Sequence, residues 1–188
     1  GNGSLMRILP LAFYTEKMSL AEQFELTHQV SSITHRHLRS QMACGLYVQM
    51  AINLLRGQSK KNAYEEMKNT VLEYYSRLPY NQELPNFARI LESDISKLSE
   101  DSIKSGGYVV DTLEASIWAF LNNHSYKETV LAAVNLGGDT DTTGAVAGGL
   151  AGLYYGYESI PEKWIDRLAR KDDIIKLAEK FFRKLSTN

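Results

Sequence analysis

Residues 137–144 read GGDTDTTG, and the chain continues at once into AVAGGLAGLYYG. Asp139 and Asp141 stand two apart, interleaved with Thr140, Thr142 and Thr143. On a turn that enters a helix, residues at this spacing can aim their oxygens at one point, and oxygen ligands suit hard cations such as Mg²⁺ and Ca²⁺. The same residues have a plainer reading, in which Asp141 or Thr142 caps the next helix. Two carboxylates compete for one cap, however, and repel each other unless a cation or a proton lies between them. The residues alone leave cap and metal site both open. An EF-hand is excluded: counted from Asp139, the twelfth position of such a loop requires a bidentate Glu and is Leu150. Zinc is disfavoured because no Cys or His lies nearby in the sequence.

The turn must be held by the segment on its C-terminal side. Gly144, Gly148, Gly152 and Gly156 recur every four residues and so share one helical face. Each costs about 1 kcal/mol of helix propensity relative to Ala, which predicts a central helix packed tightly on a neighbour. Elsewhere helical signals dominate. Ser19 with Glu22 has capping-box spacing and opens a helix over 20–33. A second spans 36–56 with Gly57 as its stop, and a third 60–75. The stretch SRLPYNQELP is the best linker candidate. Phe87, Ile90, Leu91, Ile95 and Leu98 mark a further amphipathic helix. Asp111 with Glu114 predicts a cap for a helix through Trp118, and Ser125 with Glu128 caps the next. Pro161 starts a helix, and 172–185 forms the last. Only Tyr108-Val109-Val110 is a short strand candidate. These signals predict an all-α fold: one compact domain over residues 1–188 with no repeat.

With 188 residues and a net charge of −1, the chain can bury a core and shows no basic patch for nucleic acid. Its one cysteine, Cys44, lies in an apolar helical stretch, which predicts inert packing in a reducing compartment. No signal-peptide pattern is visible, and the longest mostly apolar run falls short of the ~18 residues of a membrane span. These features predict a soluble, cytoplasmic protein with no membrane partner. His28 and His124 read as surface or capping residues, and Tyr108 and Trp118 as core.

Taken in order, four segments resemble the ADP-ribosylglycohydrolase family. GNGSLMRILPLAF at 1–13 is similar to its glycine loop, SITHRH at 32–37 to its Thr-His element, and GGYVVDTLEASIWAF at 106–120 and NLGGDTDTTGAVAGGLAGLYYG at 135–156 to its last two signature blocks. The resemblance implies an all-α hydrolase that removes ADP-ribose from modified proteins or small conjugates at a binuclear Mg²⁺ centre, with Mn²⁺ as the other candidate ion. It implies Asp139 and Asp141 as catalytic residues and Asp139, Asp141 and Thr142 as metal ligands. Gly1, Asn2, Gly3 and Ser4 would lie against the ADP-ribose, offering backbone N–H groups to phosphate, and His35 would line the cleft. For Tyr108, stacking on adenine is the alternative to a place in the core. Arg7 belongs to the match without an assigned role, either solvated or facing phosphate.

The family pattern also has an upstream segment, with an acidic residue and a Thr-Asp-Asp element that supply the rest of the metal cage. This chain opens inside the glycine loop. A fragment, a natural half and a relative without catalysis all fit. In each case Mg²⁺ affinity falls, because the ion keeps most of its waters. Core surface is then expected to be exposed, favouring a homo-oligomer or pairing with the absent segment. A non-catalytic ADP-ribose-binding or structural protein on the same scaffold is the alternative function.

Overall fold

The computed structural model describes residues 1–186, which form ten α-helices with short 3-10 helices between them and, among these residues, no strand. The helices are α1 (Pro10–Thr15), α2 (Leu20–Ser32), α3 (Leu38–Leu55), α4 (Lys60–Tyr75), α5 (Ala88–Leu91), α6 (Val109–Asn122), α7 (Tyr126–Asn135), α8 (Thr140–Tyr155), α9 (Glu162–Arg167) and α10 (Lys171–Ser186). The middle of the molecule belongs to α3 and α6. Both are buried nearly all round, from Met42 to Leu54 and from Val109 to Phe120. Helices apolar on every face have to be enclosed, and α2, α4, α7 and α8 enclose them.

Local signals explain most boundaries. Ser19 and Glu22 form the reciprocal capping box at the head of α2, and Gly57, at φ 80°, closes α3. Ser125 accepts from the Glu128 amide at the head of α7.

Other expectations are corrected by tertiary packing. Tyr108-Val109-Val110 is no strand: Tyr108 is the N-cap of α6 and both valines are already helical and buried. Asp111 and Glu114 form no cap there; Glu114 is instead buried in an ion pair with Arg89 at 3.2 Å. The predicted amphipathic helix after Phe87 breaks into α5 and 3-10 turns, because Asp94 caps the turn at Ile95 with its own carboxylate. SRLPYNQELP is a packed connection rather than a linker, carrying Tyr80 and Glu83 onto α2 and α3.

The glycine stripe of α8 does serve close packing. A Cβ at Gly144 would come within 3.0 Å of Val134, and one at Gly148 within 3.4 Å of Tyr126 and Val130, all on α7. Gly156 is not part of that stripe; it ends the helix at φ 83°. A glycine outside the stripe, Gly149, matters as much. A Cβ there would overlap the Tyr47 hydroxyl, which reaches across from α3 to donate to the Val146 carbonyl at 2.9 Å. So α8 is not the central helix, but it is pinned to the central one.

The end of the chain differs from the rest. Helix α10 buries no residue completely, and Ile174, Leu177 and Phe182 are exposed on it. An apolar groove of about 570 Å³ runs between this helix and Leu9, Pro10 and Phe13 of the α1 region. No helix among the described residues is long and apolar enough to cross a membrane.

Candidate active site at the head of the glycine-rich helix

Gly137 and Gly138 both have positive φ, 79° and 63°, so the chain turns sharply before α8 in a conformation other residues resist. At Gly138 space excludes a side chain as well, since a Cβ would sit 2.6 Å from the Ser105 carbonyl oxygen. That carbonyl accepts from the Asp139 amide at 2.8 Å, and the Ser105 hydroxyl donates to the Gly137 carbonyl at 2.8 Å. The acidic turn is thereby fastened to the segment that leads into α6.

Asp139 is the N-cap residue of α8, yet its side chain makes no capping bond. Neither Asp141 nor Thr142 caps the helix either: Asp141 is exposed in the first turn and Thr142 is buried. The Asp139 side chain turns instead to the beginning of the chain, where the Asn2 amide nitrogen donates to its Oδ2 at 2.7 Å. The same nitrogen donates its other hydrogen to the Thr112 hydroxyl at 2.9 Å, and Thr112 in turn donates to carbonyls of Gly106 and Tyr108. Three segments far apart in the sequence thus meet at one carboxylate. The Asn2 amide, with the Thr142 hydroxyl second, holds the Asp139 carboxyl below its ordinary range, because donors favour the charged form. The group is an anion at neutral pH.

His35 closes the other side of the glycine loop. A Cβ at Gly1 would lie 3.1 Å from its Nε2 and one at Gly3 2.9 Å from its Cε1. Both glycines therefore make room for an imidazole, a reason for glycine that involves no special backbone angle. Nδ1 of His35 is 2.8 Å from the Thr34 hydroxyl, which accepts from Arg7 at 2.6 Å. Thr34 thereby fixes the orientation of the ring beside the loop. Arg7, unassigned from the sequence, bonds Thr34 and the Val30 carbonyl and so ties the loop to the end of α2. Ser4 is fully buried, its hydroxyl accepting from the Cys44 thiol at 3.5 Å, so its side chain faces the core. Cys44 is buried with its thiol pKa raised by that burial, in keeping with inert packing. His37 caps α3 by accepting from the Arg39 amide and does not pair with His35.

Sequence reading missed three things here. Asn2 acts through its side chain, and Thr112 and Ser105 are nodes of the network. For Asn2 and Ser105 the signal was limited to a short polar residue beside a glycine, and Thr112 carried none. Tyr108 is another difference: it is 39% exposed at the N-cap of α6, not core, with its hydroxyl accepting from Arg39 at 2.9 Å. Trp118 is core, donating to the Leu98 carbonyl. His28 is also not a surface residue; it is buried against Tyr75 and Tyr80.

The donor set at the turn, two carboxylates and a hydroxyl, is all hard oxygen and fits Mg²⁺ or Mn²⁺. Among the described residues no cluster of three or more His, Cys, Asp or Glu side chains gathers at one point.

A family model described as ADP-ribosylglycohydrolase matches residues 1–188. Among curated proteins, the chain is 33% identical over 185 residues to the ADP-ribosylarginine hydrolase Tri1 of Serratia proteamaculans, covering 97% of this chain and 46% of that protein. It is 32% identical over 176 residues to the ADP-ribosyl-[dinitrogen reductase] glycohydrolase of Rhodospirillum rubrum, covering 91% and 51%. A solved structure titled "ADP-ribosylglycohydrolase-related protein complex" superposes with a TM-score of 0.81 at 31% identity, over 97% of this chain and 60% of the other. The chain spans about half the length of the curated relatives it matches.

Proposed function

The chain belongs to the ADP-ribosylglycohydrolase family, and from that premise we propose that it carries the ribose-side half of an ADP-ribosyl hydrolase site. The reaction would break the glycosidic bond between ADP-ribose and a protein side chain or small conjugate. Water's oxygen goes to the anomeric carbon, and the leaving group receives a proton. One observation carries the reading: the glycine loop, the start of α6 and the acidic turn converge on Asp139 through Asn2.

In this reading Asp139, Asp141 and Thr142 would hold Mg²⁺, or Mn²⁺, which supplies Lewis acidity toward a sugar hydroxyl or a water. Asn2 holds Asp139 in place through its amide. The loop of Gly1, Asn2 and Gly3 lies along the ligand with His35 behind it, and Tyr108 offers an aromatic face at the rim. Ser4 contributes backbone only, its hydroxyl being turned inward. Cys44, buried and unpaired with another cysteine, suits a reducing, cytoplasmic setting.

The second reading is that this chain binds ADP-ribose without turnover. Calorimetry with ADP-ribose, with and without Mg²⁺, together with release of ADP-ribose from a modified protein, separates the two. Magnesium-dependent binding and release, both lost in Asp139→Ala and Asp141→Ala, support the hydrolase. Binding indifferent to Mg²⁺ with no release supports the second. Full activity in both aspartate variants sinks the metal assignment.

A further inference from the structure

Helix α10 leaves an apolar face to solvent. Ile174, Leu177, Ala178, Phe181, Phe182 and Leu185 recur at spacings of one, three and four and so share one side of the helix. Leu177 and Phe182 are 68% and 69% exposed, and Ile174 is 48% exposed. Beside them runs the groove of about 570 Å³, whose far wall is Leu9, Pro10 and Phe13. Every residue lining it is apolar. On the other side of Phe181 the patch continues to Tyr14, which is also exposed. A contiguous apolar surface of this kind marks an interaction site.

The charges along its edge point to the partner. Asp173, Lys180 and Lys184 stand four residues before and three and seven residues after Leu177, so all three lie on the edge that Leu177 marks. A two-fold axis sets such an edge against its own copy, running the opposite way. With Ile174 of one copy opposite Phe181 of a second, Asp173 falls between Lys180 and Lys184 of that second copy. The same contact then occurs twice. Asp173 is held for this by Arg170 of its own chain, whose Nε lies 2.9 Å from its Oδ2. The shapes agree as well, since each copy has both projecting side chains, Leu177 and Phe182, and a groove to receive them. A lipid surface fits less well, because Asp172, Asp173 and Glu179 are interspersed with the basic residues of the helix.

We propose that α10 and the groove beside α1 form a docking surface for a second copy of this chain, with the two α10 helices antiparallel. Leu177 and Phe182 of each copy enter the groove of the other. The face is one helix of 16 residues, about 24 Å long, so association in the micromolar range is expected.

Sedimentation equilibrium of the whole chain, from about 1 to about 200 µM, tests this against the affinity scale. The wild type should pass from monomer to dimer. Leu177→Glu and Phe182→Glu change exposed residues, so the fold should hold by circular dichroism, while each weakens the dimer at least about tenfold by burying a charge. Asp173→Lys alone, or Lys180→Glu with Lys184→Glu, should weaken it about fivefold, the scale of exposed ion pairs. All three exchanged in one chain should restore the dimer, because each edge again meets its complement. A monomer at every concentration overturns the proposal, and so does a dimer indifferent to Leu177→Glu and Phe182→Glu. A triple variant as weak as its parts overturns the antiparallel arrangement. If Asp173→Lys does not fold, Lys180→Glu with Lys184→Glu decides the charge contact alone. A chain that stays monomeric and sediments with phosphatidylglycerol vesicles shows that lipid covers the face, which also overturns the proposal.

Discussion

Asp139 at the head of α8 and His28 within α2 are both tied to residues distant in the sequence, but by opposite means. Asp139 is only partly buried, and the Asn2 amide stabilises its charged form. His28 is 7% exposed, enclosed by Phe24, Tyr74, Tyr75 and Tyr80, with its Nε2 at 2.7 Å from the Tyr75 hydroxyl. Burial pushes its pKa down to about 4 from an ordinary 6.5, so it is neutral where Asp139 is charged. A pocket of about 400 Å³ opens beside it, lined by His28 itself together with Glu25, Gln29, Gln41, Tyr74 and Tyr80. The first hub keeps a charge ready beside solvent, which a binding site needs. The second removes a charge to complete the packing, as cores do. Polar networks are common to both, so a network does not by itself mark a site.

The largest effect that would test this contrast is the pH dependence of folding. Above pH 6.5 His28 is neutral in both states. As pH falls from 6.5 toward about 4, the unfolded chain takes up a proton that the folded chain refuses. Stability is therefore lost across that window, by about 3 kcal/mol at its lower end. Denaturant unfolding between pH 7 and 4 should show this loss, and His28→Gln should remove most of it. A flat profile in the wild type would mean that His28 is not enclosed as described.

Gly45→Ala probes the same hub sterically. A Cβ at Gly45 would overlap the Tyr75 hydroxyl and approach Phe24 at 3.1 Å, so a loss of about 2 kcal/mol is expected, read as a lower denaturation midpoint. ADP-ribose binding measured well below that midpoint should be unaffected.

Gly138→Ala reverses that pattern. The residue combines φ 63° with a 2.6 Å approach to the Ser105 oxygen. About 1–2 kcal/mol of stability should be lost, but the acidic turn moves with it, so ligand affinity should fall further than stability accounts for. Equal falls would argue that the turn is scaffold only.

The smallest expected change sharpens the contrast most. Asn2→Ala removes the principal donor to Asp139, and the carboxyl should titrate closer to its ordinary range. Asp139 gives stability above its unfolded-state pKa, which is lost as pH falls through the lower folded value; in Asn2→Ala that loss should begin at higher pH. Carbon-detected NMR of the side-chain carboxyl measures the shift directly, and an unmoved titration would remove Asn2 from the role given to it.

Much of the helical layout was legible because its causes are local. Ser19 with Glu22 and the glycine after Leu55-Arg56 act within one turn of the residues they control. Legibility failed where partners were distant. Valines that favour strands became helical in α6 because they are buried, Asp94 stopped a helix that hydrophobic spacing would have continued, and His28 read as surface because its tyrosines lie about fifty positions away. Of the candidate site residues, Asp139 and Asp141 stood out by type and spacing, and Thr142 and His35 only through the family resemblance. Asn2's grip on Asp139 spans 137 positions, and no local pattern records a bond of that kind.

The sequence by itself determined an all-helical chain, the tight turn before α8 that demands glycines, and the crowding of oxygen donors on that turn. Tertiary structure alone decided which carboxylate a distant amide grips, which histidine is kept neutral, and that Tyr108 is exposed rather than in the core. The reason is physical. Backbone turns and caps are set by neighbours in the chain, whereas charge state and exposure are set by which groups the fold brings within a few ångströms.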